Sequence, residues 1–587
     1  MNRWAAGPRR RFAAALEGAA RPQPGLAPGA PPQLGVERLL LLGVALLVGK
    51  RLVYHLVYLV NDPFALATFS DGQLYEEAAR DILAHPPLGS APFYLQGLYA
   101  YVLALPMAIA PQVVMGLLLQ LLLAIGALVL FYRTACAELG RVAGMLSTLV
   151  LLAVHELAFY ENKYLSVSIG IGCNVLALWT MSRCRGSARA SAPILAGIAA
   201  GLCVLARPNM LLALPFNAVA LLVLLRARRE RSAPGLALFA CGVLLALAPM
   251  ALRNQLVVGS PDVLPSHSGA IPFYIGNNPH ANGRWNSAGG LLSGQVGLER
   301  QELAARLGIA AASPAELDAA VGHALRDQAF AFITGEPLAW LGLEARKLWL
   351  TIGNHRIARD YDARGEGELI GVVHALGMPF GVALGLGVLG LLALLQRARA
   401  ERAERARLSA LLLVLSGQLC AVLAASLYAF ASAQNRAPLY VPLAFAAGPG
   451  VLALISRVPA LGSHGFRAGH AALIAAGLLC AQAFWPRGPS VEQPTSVHYF
   501  NLAAIEELLG RDGPAIAHYR AAIERNPKQP LFRLRLARTL RRDGQMQAAA
   551  AALDQLQAMP DLSPALTQAV RSERELLRSG SRHAPRQ

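Results

Sequence analysis

The chain of 587 residues is 55% hydrophobic and only 15% charged, which leaves too little charge to solvate the surface of a soluble protein of this size. Its 53 Lys and Arg against 35 Asp and Glu give a formal net charge of +18. The composition argues against a soluble globular enzyme. In a soluble chain, such an excess of basic residues suggests a nucleic-acid partner. The positions of the arginines decide whether that explanation is needed here.

The N-terminal segment is rich in Arg, Pro, Ala and Gly, a composition typical of disorder. We assign 1–36 to a disordered cytoplasmic tail. The apolar run that follows is too long for a removed signal peptide and lacks a small-residue cleavage site. We therefore interpret this run as a retained first helix.

Apolar blocks long enough to cross a membrane recur along the rest of the chain. The stretch 91–111 is also apolar, but three prolines interrupt it, and we predict a juxtamembrane segment there. The chain is therefore expected to be an all-α, polytopic membrane protein. About eleven transmembrane helices are predicted, near 37–60, 112–132, 142–156, 164–183, 192–206, 209–225, 234–252, 370–395, 408–431, 438–456 and 469–485.

Basic residues concentrate in alternate short loops when the N-terminus is taken as cytoplasmic. The cytoplasmic loops hold groups of arginines, whereas the short loops on the other side hold one cation each: Arg80, Lys163, Arg207 and Arg436. This asymmetry is the positive-inside rule, and it explains the net charge without any nucleic acid. An odd number of spans also places the C-terminal tail on the external face.

The predicted spans divide the chain into five regions. These are the tail 1–36, an N-terminal transmembrane module at 37–253 with a first external loop at 61–111, an external cap at 254–369, C-terminal transmembrane helices at 370–486, and an external domain at 487–587. The cap is rich in Gly and Asn at first and helical later, from 313 to 349. A loop of that size can form a small domain over the membrane face.

The first external loop contains an acidic amphipathic helix. From Asp71 onward, Leu74, Ala78, Ile82 and Leu83 fall on one stripe. Asp71 stands at the helix start, where a carboxylate caps the helix, and the same position suits a general base for an acceptor hydroxyl or amine. Both roles are open from the residues alone.

Other polar residues of the external regions also have two interpretations each. Glu161, Asn162 and Lys163 form a cluster in the second short external loop, where they either line the same cavity or are solvated loop charges. Asn277 and Asn278 either form a turn or contact a sugar hydroxyl.

The sequence assigns no metal and no cofactor. The seven cysteines lie in or beside apolar segments, and His267, His280 and His355 lack the spacing of metal ligands. One carboxylate does not make a metal site, so the metal requirement stays open.

The external domain has an internal period of 34 residues. This period separates Leu502 from Leu536, Gly510 from Gly544, and Ala515 from Ala549. Small residues where helices cross and glycine at the turn are typical of tetratricopeptide repeats (TPR). Two repeats and a trailing helix are predicted, with a plain helical hairpin as the alternative. An array this short is expected to pack on itself, on the external loop or on a partner protein.

An ordered set of short motifs accompanies the predicted topology between about 37 and 460. The motifs are Asp71, Tyr75, Ala79 and Arg80; Pro86, Pro87 and Tyr94; 205–209 with Arg207; Arg253 and Asn254; 276–279; and 435–438 with Pro442. In this order they resemble the GT-C glycosyltransferases, in particular the bacterial family 39-like branch similar to protein O-mannosyltransferases and aminoarabinose lipid A transferases.

The resemblance implies transfer of a sugar from a polyprenyl-phosphate carrier to an acceptor lipid, polysaccharide or protein, by an inverting displacement on the external face. Asp71 matches the acidic residue of the first loop in that family and would activate the acceptor. Gly72 stands where the family has a second acidic residue, and Glu76 and Glu77 one turn later would substitute for it. Tyr75 belongs to the same motif and is expected in the substrate cavity.

The carrier phosphate that departs in such a transfer needs cations at the membrane surface. Arg207, Arg253 and Arg436 are the external or interfacial arginines, and a planar guanidinium binds phosphate oxygens in pairs. Each also has a structural alternative, because interfacial arginines anchor helices by snorkelling. Function is favoured for Arg207 and Arg436, since each is the only cation in its loop.

The sequence therefore predicts a multi-pass glycosyltransferase of the bacterial inner membrane with a cytoplasmic N-terminus and a periplasmic repeat domain. Its expected partners are the lipid-linked donor, membrane lipid, the acceptor and a protein bound by the repeats. Two other classes stay open. One is a non-catalytic scaffold that recruits partners through its repeats, and the other is a secondary transporter, against which the cleanly apolar spans argue.

Overall fold

The computed structural model describes residues 31–186, 189–264, 269–286, 304–309, 314–353, 357, 361–371, 377–457, 468–482, 496–559, 562 and 564–579. Helices are the regular elements throughout these ranges, which confirms the all-α prediction. His267, His355 and most of the predicted tail 1–36 lie outside them. The first helix begins at Pro31 and so includes the last residues assigned to that tail.

The chain forms its helices in the order that the apolar blocks predict. The N-terminal region contains α1 (Pro31–Asn61), α2 (Asp71–Ala84), α3 (Gly97–Met107), α4 (Val113–Leu139), α5 (Arg141–Ala153), α6 (His155–Glu161), α7 (Ser166–Cys184), α8 (Ser191–Ala206), α9 (Leu214–Ala227) and α10 (Ser232–Val258). The cap contains α11 (Ala270–Gly276), α12 (Pro314–Gly335), α13 (Pro337–Ile352) and α14 (Ala363–Ile370). The remaining helices are α15 (Phe380–Ala400), α16 (Arg405–Tyr428), α17 (Ala433–Arg436), α18 (Tyr440–Arg457), α19 (Ala468–Ala481), α20 (Ser496–Leu508), α21 (Asp512–Arg525), α22 (Pro530–Arg542), α23 (Met546–Gln557) and α24 (Pro564–Arg578).

Within the described ranges, eight helical segments are long and apolar enough to cross a membrane. They contain α1, α4, α7, α9, α10, α15, α16 and α18. The helices α5 and α6 are bent by 60° and form a ninth if they are one span. Apolar α8 and α19 coincide with two further predicted spans but have only 16 and 14 residues. Every predicted span thus contains a helix, while the total of eleven stays a prediction.

Glycines allow the membrane helices to approach one another closely. At Gly197 of α8, a Cβ would lie 2.9 Å from the backbone nitrogen of Val243 in α10. At Gly387 of α15, a Cβ would lie 2.9 Å from the carbonyl oxygen of Leu443 in α18. Because lipid provides no hydrophobic driving force between helices, contacts of this kind hold the bundle together.

The amphipathic helix predicted in the first external loop is confirmed as α2, but its buried face differs from the prediction. Tyr75, Ala79 and Ile82 are buried, whereas Leu83 is exposed. The helix turns this face inward because Tyr75 packs edge-on against Tyr99 of α3, with ring centroids 4.7 Å apart.

The helical part of the cap is confirmed as α12 and α13. The cap packs over the C-terminal end of α16, where Ile271, Val321 and Leu325 share a hydrophobic cluster with Ala429 and Phe430. This packing covers one side of the space between the helix ends.

The C-terminal domain consists of two antiparallel hairpins, α20–α21 and α22–α23, followed by α24. The turns place Gly510 at φ 72° and Gly544 at φ 85°, a left-handed conformation that glycine adopts without strain. Small residues at the crossings, including Ala515 and Ala549, are fully buried. The arrangement agrees with the 34-residue period, and the assignment to tetratricopeptide repeats stays a prediction.

This domain packs on the same side of the molecule as the first external loop. Phe64 of that loop lies beside His498 of α20, with ring centroids 6.0 Å apart. Leu502 and Ile505 of α20 share a hydrophobic cluster with residues of α1, α2 and α3. The repeats were expected to pack on one another, on the external loop or on a partner protein. In the structure the helices of this domain pack on one another and on the first external loop.

Candidate active site

A cavity of about 980 Å³ lies between the ends of the membrane helices and the cap. Its walls come from the segment before α3, the turn after α8, the end of α10, the start of α11, the cap helix α12 and the end of α16. The polar residues that line it are Gln96, Arg207, Asn209, Asn254, Ser260, Asp262, Arg326, Tyr428 and Asn435. Four of these, Arg207, Asn209, Asn254 and Asn435, come from three of the motifs described above. A cavity of this volume holds a small-molecule ligand.

Arg207 reaches the cavity because α8 ends there. Its backbone N–H closes the last turn of α8 on the carbonyl of Cys203 at 2.8 Å, and Pro208 begins a tight turn. A guanidinium nitrogen donates to the carbonyl of Gln434 at 3.1 Å. The stem of the side chain crosses Gly170 of α7, where a Cβ would lie 2.9 Å from the Cγ of Arg207. A guanidinium held in this way beside a cavity suits a phosphate group.

Amide side chains line the same cavity as Arg207. Asn209 donates to the carbonyl of Ala421 at 3.0 Å, and Asn254 donates to the carbonyl of Asp262 at 2.5 Å. These bonds fix the orientation of both amides. Neutral amides beside a cation can bind sugar hydroxyls without changing the charge of the site.

Asp71 is buried and is the first residue of α2. The N-cap position belongs to Ser70, so Asp71 is not the N-cap residue. Ser70 has φ 52° and ψ −129°, a conformation that residues other than glycine adopt at a cost of about 1–3 kcal/mol. The surrounding structure therefore holds the chain under strain immediately before the carboxylate.

Gly72 explains why a second acidic side chain is missing beside Asp71. A Cβ at Gly72 would lie 3.2 Å from the Cβ of Tyr164 and 3.2 Å from the Oη of Tyr361. The space for a carboxylate is filled by these two tyrosines. A two-carboxylate version of the site does not fit this chain.

Tyr75 links the region of Asp71 to the cavity. Its hydroxyl donates to the side-chain oxygen of Gln96, which also accepts from the hydroxyl of Ser166 at 3.0 Å and lines the cavity. Burial raises the pKa of Tyr75, and the charges of Asp71 and Arg207 act on it in opposite directions. Asp71 begins the helix that carries Tyr75, and Asp71 itself does not line the cavity.

Glu76 and Glu77 point away from this region. Glu76 accepts from the hydroxyl of Thr68 at 2.6 Å and pairs with Arg80 at 2.5 Å. Glu77 is exposed and accepts from Gln73 at 2.9 Å. Neither lines the cavity, so the geometry gives no support to their use in place of a second acidic residue.

Arg253 holds a loop rather than facing the cavity. Its guanidinium donates to the carbonyl of Leu88 at 2.8 Å and to that of Ala91 at 2.6 Å, and it lies 3.8 Å from the ring of Phe93. The side chain is buried by these contacts. These contacts favour the structural alternative for Arg253, whose phosphate contact stays a prediction, while the neighbouring Asn254 does line the cavity.

Arg436 is buried against a carboxylate. It pairs with Glu156 at 3.3 Å, donates to the carbonyl of Gly353 at 2.9 Å, and stacks over the ring of Phe380. Tyr440 donates to the same carboxylate. The charge of Arg436 is thus compensated inside the protein, which favours the structural alternative, while its phosphate contact stays a prediction.

The cluster of Glu161, Asn162 and Lys163 is neither solvated nor part of the cavity. Glu161 pairs with Arg51 of α1 and lies 3.1 Å from His55, while Lys163 pairs with Glu366 at 2.5 Å. All three residues are buried. This burial does not agree with solvated loop charges, and none of the three residues lines the cavity.

Asn277 and Asn278 are buried and fully used by the fold. The amide of Asn277 donates to the carbonyl of Tyr428 at 3.0 Å, and its oxygen accepts from Lys347 at 3.2 Å. Asn278 donates to the carbonyl of Tyr274 at 2.8 Å. The N–H of His280 donates to the side-chain oxygen of Asn278 at 2.8 Å, which agrees with the turn interpretation for Asn278.

The cavity also contains residues that the sequence analysis did not select. Arg326 of α12, Asp262 and Tyr428 line it. Arg326 belongs to no motif, and only its place on the cap helix brings it to this wall. No group of three or more His, Cys, Asp or Glu side chains suited to a metal ion occurs among the described residues.

Comparison with known proteins gives similarities to solved structures. No protein-family model and no curated protein sequence matches the chain. The oligosaccharyltransferase AglB from Archaeoglobus fulgidus, in complex with an inhibitory peptide and a dolichol-phosphate, is similar at 14% identity and a TM-score of 0.34, over 78% of this chain and 58% of that chain. ArnT from Cupriavidus metallidurans, bound to undecaprenyl phosphate, is similar at 14% identity and a TM-score of 0.38, over 82% of this chain and 75% of that chain.

The match to each of these structures extends over about four fifths of this chain. It spans only about three fifths of the length of the archaeal enzyme. Similarity at these identities and TM-scores identifies neither a substrate nor a catalytic residue.

Proposed function

We propose that this chain is an integral-membrane glycosyltransferase that transfers a sugar from a polyprenyl-phosphate donor to an acceptor. The observation that supports it most is the one cavity that Arg207 and amides from three separate motifs line, with Gln96 of its wall bound to Tyr75 on the helix that begins at Asp71. The sugar phosphate of the donor would occupy the cavity, and its lipid chain would lie between the membrane helices.

In the proposed reaction, Asp71 takes the proton of an acceptor hydroxyl or amine. The acceptor atom forms a bond to the anomeric carbon of the sugar as the bond from that carbon to the phosphate oxygen breaks. The electron pair of the broken bond leaves with the carrier phosphate, and Arg207 stabilises that charge. The attack inverts the anomeric configuration.

The proposal includes an orientation in the bacterial inner membrane. The N-terminus would be cytoplasmic, because the arginine-rich loops then lie on the cytoplasmic side. The cavity, the cap and the repeat domain would face the periplasm. The acceptor would be a lipid, a polysaccharide or a protein, and the repeats would hold the acceptor or a partner protein.

The test uses purified protein in lipid with a panel of labelled polyprenyl-phosphate sugars and a bacterial envelope extract as the source of acceptor. Wild type should release sugar from at least one donor. Asp71→Asn should reduce that turnover by about a hundredfold or more, the usual contribution of a general base. Asp554→Asn, an exposed change in the repeat domain, is the matched control and should keep wild-type turnover.

The alternative is a non-catalytic membrane scaffold that recruits partners through its repeats. It is favoured by the missing second acidic residue at Gly72. A scaffold predicts no turnover with any donor and full complementation by Asp71→Asn in cells. That pair of results would replace the enzyme proposal.

A further inference from the structure

The segment 361–371 joins the region of Asp71 to the repeat domain, and we call it the bridging segment. Tyr361 at its start is buried, and its hydroxyl donates to the carbonyl of Phe69 at 3.2 Å. The same carbonyl accepts the backbone N–H of Gly72 at 3.0 Å. Tyr361 therefore holds the turn from which α2, and with it Asp71, begins.

The middle of the bridging segment is anchored in the membrane module. The buried carboxylate of Glu366 pairs with Lys163 at 2.5 Å and accepts from the hydroxyl of Tyr54 of α1. The ammonium of Lys163 lies 4.0 Å from the ring centroid of Tyr58 and 5.4 Å from that of Tyr361. A buried contact that Lys163 and Tyr54 both make with Glu366, enclosed by aromatic rings, fixes the segment in one position.

The end of the bridging segment is held by the repeat domain. Glu368 accepts from the hydroxyl of Tyr499 at 2.6 Å and pairs with Arg525 at 3.0 Å. The guanidinium of Arg525 lies 4.0 Å from the ring of Tyr499. Gly365 packs directly on His498, and a Cβ there would collide with the imidazole. Helices α20 and α21 of the first hairpin therefore both contact the carboxylate of Glu368.

We propose that Tyr361 is a positioning residue for Asp71 and that the repeat domain holds it in place through Glu368. This inference rests on the proposed function, since it gives Asp71 a partner in catalysis. It implies that a ligand of the first repeat hairpin changes the rate of transfer without touching the cavity. Donor binding is assigned to Arg207, which lines the cavity and donates to the carbonyl of Gln434, a residue outside the bridging segment.

The test compares Tyr361→Phe and Glu368→Gln with wild type in the full-length protein in lipid. Both should lower kcat by about fivefold, the value of one hydrogen bond, and leave the KM for the donor unchanged. Hydrogen exchange provides a readout that does not depend on activity. The amide of Gly72 should exchange about fivefold faster in both variants, because each loosens the turn at Phe69.

Asp554→Asn is the control, since it removes a surface ion pair of the repeat domain that lies away from the bridging segment. It should change neither kcat nor exchange at Gly72. Unchanged exchange in Glu368→Gln would overturn the link to the repeat domain, and unchanged kcat in Tyr361→Phe would overturn the positioning role. Wild type without turnover would contradict the proposed function, whereas the exchange measurement would still test the contacts.

Discussion

At the scale of single residues, the three arginines illustrate what sequence can and cannot reveal. Arg207 and Arg436 stand out in the sequence because each lies in a loop that the positive-inside rule should leave without cations. Arg253 stands out because it belongs to a motif. Only Arg207 lines the cavity. Arg253 binds the carbonyls of Leu88 and Ala91, and Arg436 pairs with Glu156. These partners lie more than 150 residues away, and no local pattern indicates them.

The placement of Arg207 gives a first prediction. In Gly170→Ala the new Cβ would lie 2.9 Å from the Cγ of Arg207, so the guanidinium must shift. We expect the KM for the donor to rise about tenfold, the effect of weakening one charge-assisted hydrogen bond, with little loss of stability because alanine favours a helix over glycine.

Gly172→Ala is the matched control on the same helix, because its Cβ would meet only the Cβ of Ala127 at 3.9 Å. Steady-state kinetics with the donor compares the two variants. Equal KM values for Gly170→Ala and Gly172→Ala would show that Arg207 does not bind the donor.

The strained backbone at Ser70 gives a second prediction. Ser70→Gly removes the Cβ that disfavours φ 52°, so the free energy of unfolding should rise by about 1 kcal/mol after the extra entropy of glycine in the unfolded chain is subtracted. Ser70→Ala keeps the Cβ and should not stabilise the protein. Thermal unfolding in detergent compares them, and a destabilised Ser70→Gly would contradict the strain.

At the scale of elements, hydropathy and periodicity predicted the helices well but not their faces. The apolar blocks coincide with helices because twenty apolar residues suffice to span a bilayer whatever their neighbours are. The stripe of α2 was predicted from aliphatic residues, whereas the buried face is the one with Tyr75, which meets Tyr99. Which face of α2 is buried depends on its packing against α3, and the periodicity of α2 alone does not indicate that packing.

The bridging segment gives a prediction for pH dependence. Burial raises the pKa of Glu366 from an ordinary 4.5 to about 7, although Lys163 opposes the rise. The folded state therefore binds the proton more tightly than the unfolded state does. The resulting stabilisation is fully present below about pH 4.5 and is lost as the pH rises through 7.

Glu366→Gln cannot titrate and isolates this contribution. The difference in unfolding temperature between wild type and Glu366→Gln should shift in favour of the variant between pH 5 and pH 8. The same difference at both values would contradict a raised pKa for Glu366 in the folded protein.

At the scale of the whole molecule, the order of regions was predictable and their contacts were not. The composition distinguishes the apolar bundle from the charged domain at 487–587, and the 34-residue period predicts the two hairpins of that domain. The packing of α20 on the first external loop, through Phe64 and His498, follows from no pattern in either segment. It arises because two surfaces far apart in the chain bury apolar area together.

The measurement that tests the central claim most directly is a comparison of kcat and KM for Asp71→Asn and Arg207→Gln with one lipid-linked donor. Loss of a base that acts on the acceptor should lower kcat, whereas loss of a cation that binds the donor phosphate should raise the KM for the donor. We expect Asp71→Asn to lower kcat by about a hundredfold or more with the KM for the donor unchanged, and Arg207→Gln to raise that KM by about tenfold or more. Two variants with the kinetics of wild type would contradict the assignment of this cavity as the active site.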